Sequence, residues 1–289
     1  MFPNNFEYVR AKTVNEALKL LAKSGKKGKL LAGGHSLIPA MKLRLNSPGV
    51  LIDLTGIAAL SKIAKVGKRI EIGALATHRA VETSALVQKN CGVLSEVASG
   101  IGDAQVRNHG TIGGSLAHAD PAADYPAIAL ALGAEIEITG AKKRVVAAEK
   151  FFKGLFETAL TPKDLITKVS FPVFGKGEGA AYVKFAHPAS LFAIVGVAAM
   201  LEVDGNGQCT AARIGVTGAS ACAFRAKSAE KMLVGKVLDE NTIAEATAST
   251  AADVDLLSDL AASAEYRAQL CNVMAKRAVT KAWERAREK

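Results

Sequence analysis

The sequence predicts an α+β protein: two successive α/β units over about the first 175 residues, then a small domain with a three-stranded antiparallel sheet and helices. Three observations carry this. Helical and strand patterns alternate up to Phe171, three strand-like runs follow one another from Ala180, and the last third has helical spacing alone. The length of 289 residues agrees with about two domains. With 49% hydrophobic and 22% charged residues, the chain has enough apolar side chains for a real core, which excludes disorder.

In the first unit, Thr13-Val-Asn-Glu16 is a capping box. The Thr hydroxyl can accept from the backbone N–H three residues on while Glu16 reaches back. A helix follows with Ala17, Leu18, Leu21 and Ala22 on its buried face, and Gly25 is placed to end it. Leu30-Leu31-Ala32 reads as a short buried strand running into Gly33-Gly34-His35-Ser36, and Val50–Leu54 as the next strand.

The second unit opens with the alternating run Arg69–Leu75. Thr77 caps a helix to about Gln88, and another helical stretch lies near 93–100. A further helix is expected after Asp120-Pro121, with Asp as cap and Pro in the first turn, and strands at Glu135–Thr139 and Leu165–Phe171 close the unit. Gly175-Lys-Gly-Glu-Gly179 punctuates the chain as a linker, giving expected domains of 1–175 (units about 1–58 and 59–175) and 176–289. Strands are then expected at 180–186, 191–203 and 210–217, the last two joined by the hairpin tetrad Asp204-Gly205-Asn206-Gly207. Ser263 to about Arg287 forms the final helix.

The net charge of +10 raises the question of nucleic acid or an acidic partner. Nine Lys and Arg stand against three Asp and Glu over residues 1–58 (+6), fourteen against eleven over 59–175 (+3), and fourteen against thirteen thereafter (+1). The front cluster of Lys19, Lys23, Lys26, Lys27 and Lys29 has no interleaved aromatic or Arg to stack on bases. It reads as a solvated face or a docking patch for an acidic protein, and nucleic acid is not expected as a partner. Cys91, Cys209, Cys222 and Cys271 form no CxxC, so neither a disulfide framework, a structural zinc nor an iron–sulfur cluster is expected on this chain. No apolar run reaches the roughly 18 residues of a spanning helix, and the first residues lack a signal pattern, so the expected location is cytoplasmic.

Two segments carry chemistry: Ala32-Gly33-Gly34-His35-Ser36 and Thr111-Ile112-Gly113-Gly114-Ser115. Each sets paired glycines beside hydroxyl side chains, at what the pattern suggests is a strand-to-turn junction. Without Cβ atoms the backbone can approach a ligand and turn consecutive N–H groups onto an anion. Two such turns could clamp a diphosphate from both sides, an arrangement unlike the single turn of a Rossmann fold. Either pair alone could equally mark an ordinary tight turn.

Residues 30–45, beginning Leu30-Leu31-Ala32-Gly33-Gly34-His35-Ser36-Leu37, and residues 105–126 (Gln-Val-Arg-Asn-His-Gly-Thr-Ile-Gly-Gly-Ser-Leu-Ala-His-Ala-Asp-Pro-Ala-Ala-Asp-Tyr-Pro) closely resemble the FAD-binding medium subunit of the molybdenum hydroxylases. That family includes aerobic carbon monoxide dehydrogenase and xanthine dehydrogenase. Residues 180–199 resemble the opening of its C-terminal domain, so the likeness covers nearly the whole chain. The resemblance implies a two-subdomain FAD-binding domain of the p-cresol methylhydroxylase type followed by a C-terminal domain of the carbon monoxide dehydrogenase flavoprotein type. Carried over, Leu30–Leu37 form the first diphosphate loop and Thr111–Ser115 the second. Asp124 matches an acidic position near the nucleotide portion of the cofactor, Lys184 and Ile166 match positions near the flavin, and Ile101 matches an apolar or aromatic contact. His35 resembles the covalent flavin attachment residue of some oxidases, but its surroundings match the family that holds FAD non-covalently. Neither a catalytic residue nor a metal ligand is expected, and His187 is left undecided.

The resemblance also implies a relay. FAD on this chain collects electrons from [2Fe-2S] clusters of a small partner subunit, fed by the molybdenum cofactor of a large one, and passes them to quinone, NAD or oxygen. The implied assembly is a dimer of heterotrimers with no membrane span, leaving peripheral association with the cytoplasmic membrane open. The rival reading is a self-sufficient FAD-dependent oxidase or reductase of the same fold. The substrate of the complex is not legible in this chain.

Overall fold

In the computed structural model, which describes residues 1–252 and 254–288, the first strand, β1 (Glu7–Arg10), leads through α1 (Val14–Ser24), β2 (Gly28–Leu31) and α2 (Leu37–Lys42) to β3 (Val50–Asp53). The strands form a parallel sheet in the order β1-β3-β2. Thr13 Oγ1 accepts from Glu16 N at 3.1 Å, and Gly25 ends α1 at φ 53°. Glu16 reaches back as expected, but to the N–H of Lys12, one residue before the cap. Ala17 and Leu21 of α1 pack on Ile52, and Leu75 and Leu165 of the next unit complete that core.

The second unit runs β4 (Ile63–Val66), β5 (Arg69–Gly73), α3 (His78–Thr83), α4 (Ala85–Ser99), α5 (Ala104–His109), α6 (Ile112–His118), α7 (Asp124–Ala131), β6 (Glu135–Thr139), β7 (Lys143–Ala147), α8 (Ala148–Phe151), β8 (Phe152–Gly154), β9 (Glu157–Thr158) and β10 (Leu165–Pro172). Five strands make an antiparallel sheet in the order β4-β5-β10-β6-β7, while β8 and β9 pair separately. The five helices α3–α7 are inserted in the chain between β5 and β6, the two neighbours of β10. Every residue of α7 is buried, as expected of a helix apolar on all sides.

The last part comprises β11 (Glu178–Ala186), β12 (Ala193–Val203), β13 (Cys209–Thr217), β14 (Phe224–Arg225), α9 (Lys227–Leu233), α10 (Glu240–Thr247) and α11 (Ala264–Arg287). The sheet is antiparallel in the order β11-β12-β13-β14. α11 lies so close to β11 that a Cβ on Gly179 would overlap the Ala282 carbonyl. On the other side, a Cβ on Gly215 of β13 would overlap the Ala127 carbonyl of α7. Ala180, Ala198 and Met200 join the core of the second unit, and Arg285 reaches from α11 to Glu96 of α4 at 2.6 Å. These contacts set α7 between the two layers, with its first residue, Asp124, facing β11.

Several expectations are corrected. The last sheet has four strands rather than three, because the two-residue β14 is too short to show a period. Asp120-Pro121 does not cap a helix: Asp120 closes a turn by accepting from Ala122 N at 2.9 Å, and α7 starts at Asp124 without a side-chain cap. The single helix expected from Thr77 to Gln88 is divided at Ser84, whose hydroxyl caps α4. The stretch expected near 93–100 is the continuation of α4 past a non-helical Cys91.

Candidate functional site

The first glycine pair leaves β2 and enters α2. Gly34 has φ 74°, which a Cβ would strain. The carbonyls in this turn are used, with Leu31 O accepting from Leu54 N and Gly34 O from Ile38 N, both at 2.9 Å. The N–H groups of Gly33, Gly34, His35, Ser36 and Leu37 find no acceptor among the described residues. Five successive backbone donors on a tight turn are thus left free, and runs of this kind can bind an anion.

The second pair differs from expectation. It follows a helix, α5, and lies inside α6 rather than at a strand end. Thr77 and Thr111 form a bridge, after which Ile112 N donates to Ala76 O at 3.1 Å and Gly113 N to Ala74 O at 2.9 Å. Gly114 N donates to Thr111 Oγ1 at 3.1 Å. These N–H groups are therefore spent inside the protein. Gly113 is glycine because Ala74 occupies the place of its Cβ.

What the second segment does is support the first. A Cβ on Gly33 would overlap the His109 carbonyl oxygen, and one on Gly114 would touch Ala32 Cβ at 3.7 Å. The His35 and His109 rings stack with centroids 5.4 Å apart and planes 17° from parallel. Beneath them, His78 is 5% exposed and donates its backbone N–H to Gly110 O at 2.9 Å. Burial, aided by the nearby His35 and Arg107, pushes the His78 imidazole down to about 4, and its Nδ1 has no partner among the described residues.

Asp124 and Lys184 meet directly. Lys184 Nζ stands 2.9 Å from Asp124 Oδ1 and also donates to Gly100 O at 2.7 Å and Leu191 O at 2.9 Å, using all three protons. Tyr182 donates its hydroxyl to the same Asp124 oxygen at 2.6 Å, leaving Oδ2 outside both contacts. Burial raises the Asp124 carboxyl above the usual carboxylate range, against the opposing pull of Lys184 and the Tyr182 hydroxyl. Lys184 thus ties β11 to the turn carrying Ile101. Arg107 of α5 donates to Ile101 O and Gly102 O, so α5 joins this group to the Gly110–Thr111 junction. Ile166 of β10 is 6% exposed and lies opposite Ile138 of β6, beside the bulge at Thr167 whose carbonyl accepts from Ala74 N.

Leu30–Leu37 and Thr111–Ser115 are therefore in mutual contact, and Asp124, Lys184 and the Ile101 turn form a second group. Sequence reasoning missed Tyr182, His109 and Arg107. Tyr182 was accessible, since residues two apart on a strand share a face and Lys184 was already singled out. The role of His109 rests on its carbonyl, for which no side-chain signal exists.

A row of unpaired N–H donors, a buried carboxyl with an oxygen to spare, nearby hydroxyls at Ser36 and Ser115, and apolar Ile101 and Ile166 together fit a dinucleotide with a flat apolar ring system. The fold and these residues define a protein of the FAD-binding class. Residues 4–174 match the family model described as "FAD binding domain in molybdopterin dehydrogenase", and residues 180–282 match "CO dehydrogenase flavoprotein C-terminal domain". The chain is 39% identical to the carbon monoxide dehydrogenase medium chain of Afipia carboxidovorans, over 99% of this chain and 100% of that one. It is 38% identical to the 6-hydroxypseudooxynicotine dehydrogenase complex subunit alpha of Paenarthrobacter nicotinovorans, over 99% and 97%. Its fold superposes with TM-score 0.95 on a chain of carbon monoxide dehydrogenase from Hydrogenophaga pseudoflava that lacks the Mo-pyranopterin moiety, at 37% identity and covering 99% of each. The chain belongs to the family of FAD-binding medium subunits of the molybdenum hydroxylases, whose members are oxidoreductase subunits. Among the described residues no helix is long and apolar enough to cross a membrane.

Proposed function

We propose that this chain is the electron-transfer subunit of a heterotrimeric molybdenum hydroxylase, holding FAD non-covalently in residues 1–175 with residues 176–289 closing one side. It takes electrons from the [2Fe-2S] clusters of a small subunit and passes them on to quinone, NAD or oxygen. The molybdenum cofactor resides on a large subunit, and two heterotrimers pair. When bound, the flavin supplies acceptance of single electrons and donation of pairs in one group.

The observation that carries the reading is the run of five unpaired N–H groups from Gly33 to Leu37, held in place by the second loop. In this role those donors bind the diphosphate, joined by the hydroxyls of Ser36 and Ser115. Thr111 is committed to Gly114 and shapes the turn. Asp124 accepts from cofactor hydroxyls through Oδ2, and Lys184 fixes its orientation. Ile101 and Ile166 keep water from the ring system. The lysine-rich front of residues 1–58 docks an acidic subunit, which makes assembly salt-sensitive.

Purification from its host tests this. A yellow chain co-eluting with a larger molybdenum-containing and a smaller iron–sulfur-containing chain is expected. Turnover of an organic substrate by the isolated chain would overturn it.

A further inference from the structure

The start of α7 is fixed from one row of the last sheet. Lys184 of β11, Gly196 of β12 and Thr217 of β13 stand side by side across three neighbouring strands, and Tyr182 lies two residues before Lys184 on the same face. The Thr217 hydroxyl, on a residue 1% exposed, shares its proton between Pro121 O at 2.8 Å and Ala123 O at 2.7 Å. Gly218 N donates to Pro121 O at 2.7 Å and Ala193 N to Ala122 O at 3.2 Å. The three residues ahead of Asp124 are thus tied to the last sheet through their carbonyls.

Gly196 is the gap in this row, and Tyr182 leans across it. A Cβ on Gly196 would overlap the Tyr182 hydroxyl and come within 3.0 Å of Tyr182 Cζ and Thr217 Cγ2. That hydroxyl is already engaged, donating at 2.6 Å to Asp124 Oδ1, the oxygen that also meets Lys184 Nζ at 2.9 Å. The two donors supply different things. Lys184 brings the counter-charge on a flexible stem and serves Gly100 O and Leu191 O as well. The Tyr182 ring is rigid and packs against the core of the second unit, so its hydroxyl brings direction. Against an ammonium alone a carboxylate can turn about its Cβ–Cγ bond, and a second donor at a fixed place holds its plane.

We propose that Tyr182 is a positioning residue of the cofactor site: seated in the gap at Gly196, its hydroxyl holds Asp124 Oδ1 beside Lys184 and so turns Oδ2 toward the cofactor hydroxyls. The inference rests on the proposed role of Asp124 in holding FAD. It also gives Gly196, which has no side chain, a part in cofactor affinity.

The test is titration with FAD of the flavin-stripped chain, kept in the complex in which it purifies. Tyr182→Phe keeps the ring, removes the hydroxyl and weakens FAD about tenfold, as for the loss of one hydrogen bond to a charged group. Gly196→Ala crowds the hydroxyl off its seat and weakens FAD with Tyr182 in place, but adds at most about twofold to Tyr182→Phe. Asp124→Asn turns its amide oxygen to Lys184 and Tyr182 and sets an NH2 group in the place of Oδ2, so it weakens FAD by itself. In that background Tyr182→Phe has no further effect, whereas a tyrosine that only packed the core would weaken FAD equally in both. If Asp124→Asn does not fold, Tyr182→Phe and Gly196→Ala decide the matter between them. Parent-like FAD affinity in Tyr182→Phe, or the full tenfold loss beside Asp124→Asn, overturns the inference and leaves the proposed function standing. A parent that takes up no FAD overturns both.

Discussion

Gly33 packs against the carbonyl of His109 with no room between them for a Cβ atom. This one contact holds the donor-bearing turn on the loop that supports it. Gly33→Ala must push two backbones apart, and neither is the free end of a flexible side chain. Overpacking of this kind costs about 1–3 kcal/mol, and it also spoils the alignment of the neighbouring N–H groups. We expect the variant to be purified without flavin and to melt lower. Gly92→Ala is the control, since nothing lies within 4 Å of its Cβ position and a helical Ala is favoured by up to about 1 kcal/mol. Flavin absorbance and thermal melts of the two variants check both statements.

The side chain of Thr111 contributes to the second loop through its hydroxyl, which accepts from Gly114 N. Thr111→Val keeps the shape but leaves Gly114 N–H without its acceptor, costing about 1 kcal/mol in denaturant unfolding. Thr111→Ser keeps the bond and should lie closer to the parent chain. Equal stability of the Val and Ser variants would show that the cap carries no weight.

The order of elements and the two glycine segments were legible because they rest on local signals: capping hydroxyls at Thr13 and Thr77, strand alternation at Arg69–Gly73, the hairpin tetrad at Asp204, and helical spacing from Ser263 to Arg287. β14 escaped because its two residues have no period. The roles of the glycine pairs could be separated only in three dimensions. Gly33-Gly34 and Gly113-Gly114 look alike in the chain, yet Ala74 and Ala76, nearly forty residues before the second pair, consume the N–H groups of Ile112 and Gly113. Lys184 could be singled out, but its partners Gly100 O and Leu191 O are backbone atoms that no side-chain pattern announces.

The Asp124–Lys184 pair should answer differently to single and double substitution. Lys184→Met strips a buried carboxylate of its counter-charge, and Asp124→Leu leaves a buried ammonium with carbonyls only. Each should cost about 3–5 kcal/mol. The double variant removes both charges and should regain much of that stability, because the energies of contacting residues do not add. If Asp124 also binds the cofactor, flavin retention stays lost in the double variant while the melting temperature recovers. Recovery of both would remove Asp124 from the binding site.

His78 gives the protein a pH dependence of defined sign. In the unfolded chain its imidazole takes up a proton near the ordinary value of 6.5, whereas burial in the folded state delays uptake to about 4. Between these values the unfolded state binds more protons, so stability falls as the pH drops through 6.5 and the loss is complete near 4. The difference amounts to about 3 kcal/mol at full extent. The ion-paired Asp164 acts in a separate, lower window. Asp164, held at about 2 chiefly by its bonds from Arg144, contributes stability that is lost only as the pH falls below 3.8. Urea unfolding at pH 7.5, 5.5 and 4.5 should therefore show a decline in the parent chain that is largely absent in His78→Leu. Parallel declines in both chains would place the titration elsewhere.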